Sequence, residues 1–243
     1  MGHRNLPEPN PDLYETPKAS VVRFPHDGKD VFFVTDSNRD LIQNHHRLGH
    51  FYEPEELAII AEHFVEGSVF LDIGANVGNH SIYTAMFLKP AQIIPIEPNP
   101  LAYRLLEANI RLNRLDDLFD FSYLGYGVSD EATSGAGINF RHRNIGGGKI
   151  VQGGGDIELL TGDMICENRD IGFVKIDVEG MEMDVLNGIG DTLKRCQPKM
   201  FIEVDDVNDA AFNAWLEENE FSILDTFKRY KTNKNYLIST AVS

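Results

Sequence analysis

Between Val69 and Ser81 the chain reads Val-Phe-Leu-Asp-Ile-Gly-Ala-Asn-Val-Gly-Asn-His-Ser, and no other stretch restricts the fold as much. An apolar run, Val69-Phe70-Leu71, ends at Asp72. Gly74 and Gly78 then supply a tight turn, and a helical pattern begins at about Asn79. Strand, small-residue turn and helix in that order open a nucleotide-binding α/β sheet. The turn departs from the dinucleotide fingerprint, because Asn76 and Asn79 stand where that fingerprint has glycine. A pyrophosphate is held by bare backbone N–H groups and a helix N-terminus. A carboxylate in the turn repels phosphate, so Asp72 points to a ligand that carries an ammonium group and no phosphate.

Composition narrows the classes further. At 243 residues the chain suffices for one sizeable α/β domain, with 42% hydrophobic and 25% charged residues as in ordinary globular proteins. A formal charge of −16 argues against a nucleic-acid substrate and against docking on anionic lipid. A small neutral or cationic substrate remains. No apolar run has the length of a membrane span, and the N-terminus lacks the hydrophobic region of a signal peptide. Cys166 and Cys196 have no metal-type spacing, so a reducing cytoplasm is the expected setting.

Along the chain, residues 1–18 hold Pro7, Pro9, Pro11 and Pro17 and read as an irregular arm. Val21 to Phe24 and Val31 to Thr35, joined through His26-Asp27-Gly28, read as a hairpin. Residues 1–50 thus form an arm and short hairpin ahead of a domain spanning 51–243. A polar stretch with His45, His46 and His50 precedes a helix over 53–66. The sheet then has strands at 69–73, 92–96, 119–128, 172–178 and 200–204, with helices at 79–87, from Pro100, at 183–186 and at 208–218. Asn99 caps the second of these helices ahead of Pro100. A terminal pair at 221–227 and 236–239 reads as antiparallel, which gives a mostly parallel sheet with helices on both faces. Glycine-rich residues 133–155 interrupt the rhythm and read as an inserted hairpin or, more favourably, a lid.

Two further positions carry chemistry. Glu97 ends the second core strand, near the offset at which an acidic residue meets a ribose, and a carboxylate can accept from both ribose hydroxyls. The bland reading is an exposed glutamate ahead of a helix. Lys175 and Asp177 share one face of the 172–178 strand, with Asp177 near its C-terminal end. Asp177 and Glu179 therefore face the reacting groups, while an ion pair with Lys175 or a helix cap is the structural reading of Asp177. S-adenosylmethionine (SAM) matches a phosphate-free, zwitterionic adenosine ligand. Its methyl is already activated, so the protein has to align an acceptor, exclude water and take up a proton. The candidate bases are Asp177, Glu179 and His142, the last in the inserted segment, with Glu203 at a strand end behind them. His45, His46 and His50 could line the entrance. No local ligand spacing supports a metal, and none is expected.

Leu-Asp-Ile-Gly-Ala-Asn-Val-Gly (71–78), Ile-Glu-Pro-Asn-Pro (96–100) and Val-Lys-Ile-Asp-Val-Glu-Gly-Met-Glu (174–182) together resemble the FkbM family of SAM-dependent methyltransferases. The similarity covers about residues 50–205, including Gly127-Val-Ser-Asp130. The resemblance implies a class I, Rossmann-like methyltransferase fold with a seven-stranded sheet and O-methylation of a small molecule or sugar. It places Asp72, Gly74, Asn76 and Gly78 at the methionine end, Glu97 on the ribose, and Ser129 and Asp130 near the adenine. Ala75, Asn79, Pro98, Asn99 and Asp177 complete the expected cofactor-binding set. An NAD-linked oxidoreductase on a similar sheet and a non-catalytic SAM-binding module are the competing readings. The acidic surface and long arm also permit a homodimer.

Overall fold

The computed structural model describes residues 19–139 and 149–240. A hairpin comes first, β1 (Ser20–His26) against β2 (Lys29–Thr35), turning at Asp27 and Gly28, both at positive φ. Helices α1 (Leu41–Arg47) and α2 (Pro54–His63) follow. The core then runs β3 (Val69–Ile73), α3 (Asn79–Phe87), β4 (Gln92–Ile96) and α4 (Pro100–Leu112). After β5 (Tyr126–Val128), β6 (Thr133–Asn139) and β7 (Lys149–Leu160) come α5 (Gly162–Ile165) and β8 (Ile171–Ile176). The chain ends through α6 (Glu182–Gly188), α7 (Gly190–Cys196), β9 (Lys199–Asp205), α8 (Asp209–Glu218), β10 (Phe221–Phe227) and β11 (Asn233–Thr240).

The main sheet has six strands in the order β10-β11-β9-β8-β3-β4, parallel from β9 to β4 and antiparallel where β11 joins. The pleat sorts its side chains by parity. Phe70, Ile93, Phe173, Phe201 and Leu237 pack beneath the hairpin, α2, α3 and α4. Leu71, Ile73, Ile94, Val174, Ile176 and Ile202 face the opposite core, which α6, α7 and α8 fill with Val185, Leu193, Phe212 and Trp215. Burial on both faces is what makes β3, β4 and β8 continuous apolar runs.

The expected seventh strand over 119–128 does not form. Short 3-10 turns occupy Asp116–Leu118 and Phe121–Tyr123, and Gly125 turns at φ +88°, so only isolated bridges reach β4. What survives is β5, which pairs in parallel with β7 in a separate three-stranded sheet. The glycine-rich segment is a hairpin of β6 and β7 in which backbones meet closely: a Cβ on Gly155 would lie 2.5 Å from the Ala136 carbonyl oxygen. Its tip, with His142, and the proline-bearing arm 1–18 lie outside the described residues. Among the described residues, no helix is long and apolar enough to cross a membrane.

Candidate functional site

The sheet's connections run to either side of β3, with β4 on one side and β8 on the other. At such a switch point the strand ends leave a crevice at their C-terminal edge. The turn after β3 is drawn hard against β8: Gly74 sits at φ +81°, and a Cβ there would lie 1.9 Å from the Asp177 carbonyl oxygen. Gly78, at φ +92°, lets the turn pass under Leu106, whose Cδ1 a Cβ would approach to 2.5 Å. Non-glycine residues at positive φ also gather here, with Glu53, Asn76 and Glu179 all on the crevice wall. Strain concentrated at one opening is typical of a functional site.

Four of the turn's N–H groups are already satisfied. Those of Gly74 and Ala75 donate to the Ile96 carbonyl, that of Gly78 to Ala75, and that of Asn76 to Glu97 Oε2 at 2.8 Å. A pyrophosphate would find none of these donors pointing at it, which separates the turn from a dinucleotide loop. The Asn99 N–H donates to the other Glu97 oxygen, also at 2.8 Å. Glu97 is buried rather than exposed, and burial lifts its carboxyl to about 7 against the pull of these two donors.

Asp72 corrects the sequence expectation. It shares a pleat parity with Phe70, so its carboxylate points under α3 and is fully buried (0% exposed). Oδ2 accepts from Ser81 Oγ at 2.6 Å, and Oδ1 lies 3.3 Å from Nζ of Lys175, its cross-strand partner in register. Lys175 Nζ also donates to the Gly74 carbonyl at 2.9 Å and stands 3.5 Å from Asp177 Oδ2. Burial opposes its charge, but Asp72 and Asp177 outweigh that and hold the ammonium above its ordinary range. Asp72 thus braces the turn from beneath, with Ser81 and Lys175 as its partners. The ion pair foreseen for Asp177 is present, and its side chain remains about one-third exposed in the crevice.

Two lobes meet at Gly74, Glu97, Asp177 and Glu179. The first, with about 450 Å³ of empty space, is walled by Ile73, Ile96, Pro98, Val128, Val178 and Met181. Gly127 and Val128 form the edge on which Ser129 and Asp130 had been expected. Ser129 follows just outside, its hydroxyl donating to Asp130 at 3.1 Å. The second lobe, with about 760 Å³, is polar. Tyr52 and Glu53 supply one bank, Glu203, Tyr230 and Asn233 the other, and Leu41 and Ile42 of α1 the rim. Burial, then Asp177 and Glu56, raise Glu53 to about 8; burial and the charges of Asp177, Glu53 and Glu179 push Glu203 far above the usual carboxylate range.

Several of the residues expected at the cofactor have structural partners of their own. The Asn79 amide is committed to Tyr52, accepting from its N–H at 2.9 Å and donating to its carbonyl at 2.8 Å, with His46 Nε2 at 3.0 Å. Asn99 caps α4 through Leu101 N–H. Ala75 is buried in the core. His46 stacks on Phe33 inside that core, and burial lowers it to about 4, so it does not line the entrance. Among the described residues no group of histidine, cysteine and carboxylate side chains is arranged for a metal. The sequence reading missed Tyr52, Glu53, Tyr230 and Asn233. Glu203 was legible by the same strand-end position that picked out Asp177.

Comparison with known proteins agrees with this geometry. A family model described as the methyltransferase FkbM domain matches residues 72–231. Hexuronic acid methyltransferase AglP of Haloferax volcanii is 29% identical over 150 residues, covering 58% of this chain and 58% of that protein. A tRNA(Phe) (4-demethylwyosine(37)-C(7)) aminocarboxypropyltransferase of Methanocaldococcus jannaschii is 36% identical over 70 residues, covering 29% of this chain and 27% of that protein. The chain therefore spans under two thirds of the length of the curated relatives it matches. Among solved structures, Streptococcus pneumoniae Sp1610, a putative tRNA (m1A22) methyltransferase in complex with S-adenosyl-L-methionine, aligns with a TM-score of 0.53 at 14% identity, over 77% of this chain and 72% of that one. At that identity the likeness establishes the fold alone.

Proposed function

The chain belongs to the methyltransferase FkbM domain family, and from that premise we propose that it transfers a methyl group from SAM to a hydroxyl oxygen of a small molecule or sugar. The observation that carries this reading is the apolar lobe ending on Glu97 beside a turn in which the N–H groups of Gly74, Ala75, Asn76 and Gly78 are spent internally. That donor set fits a phosphate-free adenosine. Ile96, Pro98, Val128 and Met181 would hold the adenine, and the Glu97 carboxylate would accept from the ribose hydroxyls. Asn76, whose buried Oδ1 has no hydrogen-bond partner, would meet the methionine end with Asp177 and Glu179.

When bound, SAM supplies an electrophilic methyl on a sulfonium, and its transfer to a hydroxyl oxygen releases one proton. Asp177 would receive that proton, a reading supported by its belonging to both lobes and staying partly open. Lys175 fixes its carboxylate at 3.5 Å. An oxygen being methylated grows steadily more acidic, so a carboxylate suffices as the base. The kinship with a hexuronic acid methyltransferase favours a sugar among the acceptors.

Calorimetry with S-adenosylhomocysteine (SAH) and with NAD tests the cofactor: SAH is expected to bind and NAD not. Asp177→Asn is expected to slow transfer by about 10²-fold or more, with a much smaller change in SAH affinity. Equal losses in both would assign Asp177 a structural role and refute the assignment of the base.

A further inference from the structure

The polar lobe has an uneven chemistry. The carboxyl groups of Glu53, Asp177, Glu179 and Glu203 face it, and Glu97 closes one end. Two amide oxygens on its wall, Asn76 Oδ1 and Asn233 Oδ1, are buried and accept no hydrogen bond. Among the described residues, no lysine or arginine lines it. The nearest cations are committed elsewhere. Lys175 is held by Asp72, Asp177 and the Gly74 carbonyl, and Arg229 by Glu55 and Glu56. His80, 3.7 Å from Glu53, is kept neutral by burial and by Lys175, which lower it to about 3.

An acceptor entering this space meets amide and carboxylate oxygens that want donors and, among the described residues, finds no cation to balance an anion. Buried acceptors left without donors cost free energy, so a ligand rich in O–H or N–H groups is favoured. A further negative charge is not. Glu53 and Glu203 already keep their protons well beyond the usual carboxylate range, because burial and neighbouring carboxylates resist more charge. An acidic ligand would face the same penalty.

We propose that the acceptor is a hydroxyl-rich compound without an acid group, a neutral or amino glycoside, selected by a wall of Glu53, Glu203 and Asn233. The inference rests on the methyltransferase reading and sets this chain apart from the relative named for a hexuronic acid. Its acceptor lobe refuses a uronate.

The test uses the full chain loaded with SAH, whose binding is first measured by calorimetry. Saturation-transfer NMR then compares methyl glucoside, methyl glucosaminide and methyl glucuronide, the first and last differing at one carbon. The glucoside and the glucosaminide are expected to give signals at least about threefold above the glucuronide, and methyl transfer from labelled SAM to follow the same order. A glucuronide signal equal to or above the glucoside's overturns the proposal, as does the absence of contact with both non-acidic sugars. Failure of SAH to bind instead overturns the methyltransferase reading beneath it. Asn233→Lys, which puts a cation in the lobe, is expected to raise the glucuronide signal to the glucoside's level. A variant that binds SAH yet keeps the original preference removes Asn233 from the wall.

Discussion

Two carboxylates one strand apart show how local surroundings decide what a residue can do. Asp72 and Glu97 both sit near strand ends, yet Asp72 has Ser81 and Lys175 on its oxygens under α3, and Glu97 has two backbone N–H groups and an open lobe. Among the described residues no ion pair reaches Glu97, so burial raises it to about 7, and its charge is marginal at neutral pH. This gives a pH signature. Ribose hydroxyls are accepted best by the ionised carboxylate, and below about 7 the free protein holds a proton there that must leave first. SAH affinity is therefore expected to rise between pH 6 and pH 8, by a factor approaching tenfold per unit on the acid side. Glu97→Gln should bind SAH more weakly at pH 8, by about 1–3 kcal/mol, and flatten the profile. Calorimetry at three pH values reads both, and a wild-type affinity that falls over this range would remove Glu97 from the ribose.

At the scale of elements, the turn between β3 and α3 makes the site, and Gly74 makes the turn. Its positive φ and the 1.9 Å approach of a Cβ to the Asp177 carbonyl leave no room for a side chain without parting β3 from β8. Gly74→Ala is expected to cost well over ~1 kcal/mol, the scale at which alanine suits a compatible glycine position. Urea denaturation measures the loss, and SAH binding should fall with it; a stable variant with wild-type affinity would show that the strand ends can separate. Gly74, β4 and α4 are legible in the sequence because their signals are local: a small-residue turn, an apolar run, and Asn99 ahead of Pro100. Helix α1 is only seven residues long, too short to show a period, although Asp40 caps it by accepting from Gln43 N–H at 2.9 Å. Helix α7 hides behind Gly188, which reads as a stop. The polar lobe is invisible for another reason. Tyr52 and Tyr230 share a hydroxyl contact across most of the chain, and no spacing rule connects them.

For the whole molecule, the polar lobe is closed by bringing the two ends of the fold together. Arg229, in the turn between β10 and β11, donates from Nε to Glu56 at 2.8 Å and from Nη2 to Glu56 and Glu55 at 2.6 and 2.5 Å, which are the first turn of α2. The neighbouring Tyr230 meets Tyr52 on the same seam. Glu56 is fully buried, whereas Glu55 is half exposed, so the two bridges are unequal. An exposed pair is worth about 0–1 kcal/mol, but stranding a buried carboxylate costs about 3–5 kcal/mol. Arg229→Ala should fall near that upper range by urea denaturation, Glu56→Gln should cost less, and the double variant should recover much of the loss because no buried charge is left unpaired. Single losses that simply add, within about 0.5 kcal/mol, would mean that Arg229 does not hold α2. If the seam is the strap the geometry describes, Arg229→Ala should also raise the acceptor's KM more than it weakens SAH binding. The apolar lobe is built from β3, β4, β5 and the end of β8, none of which contributes a residue to the seam.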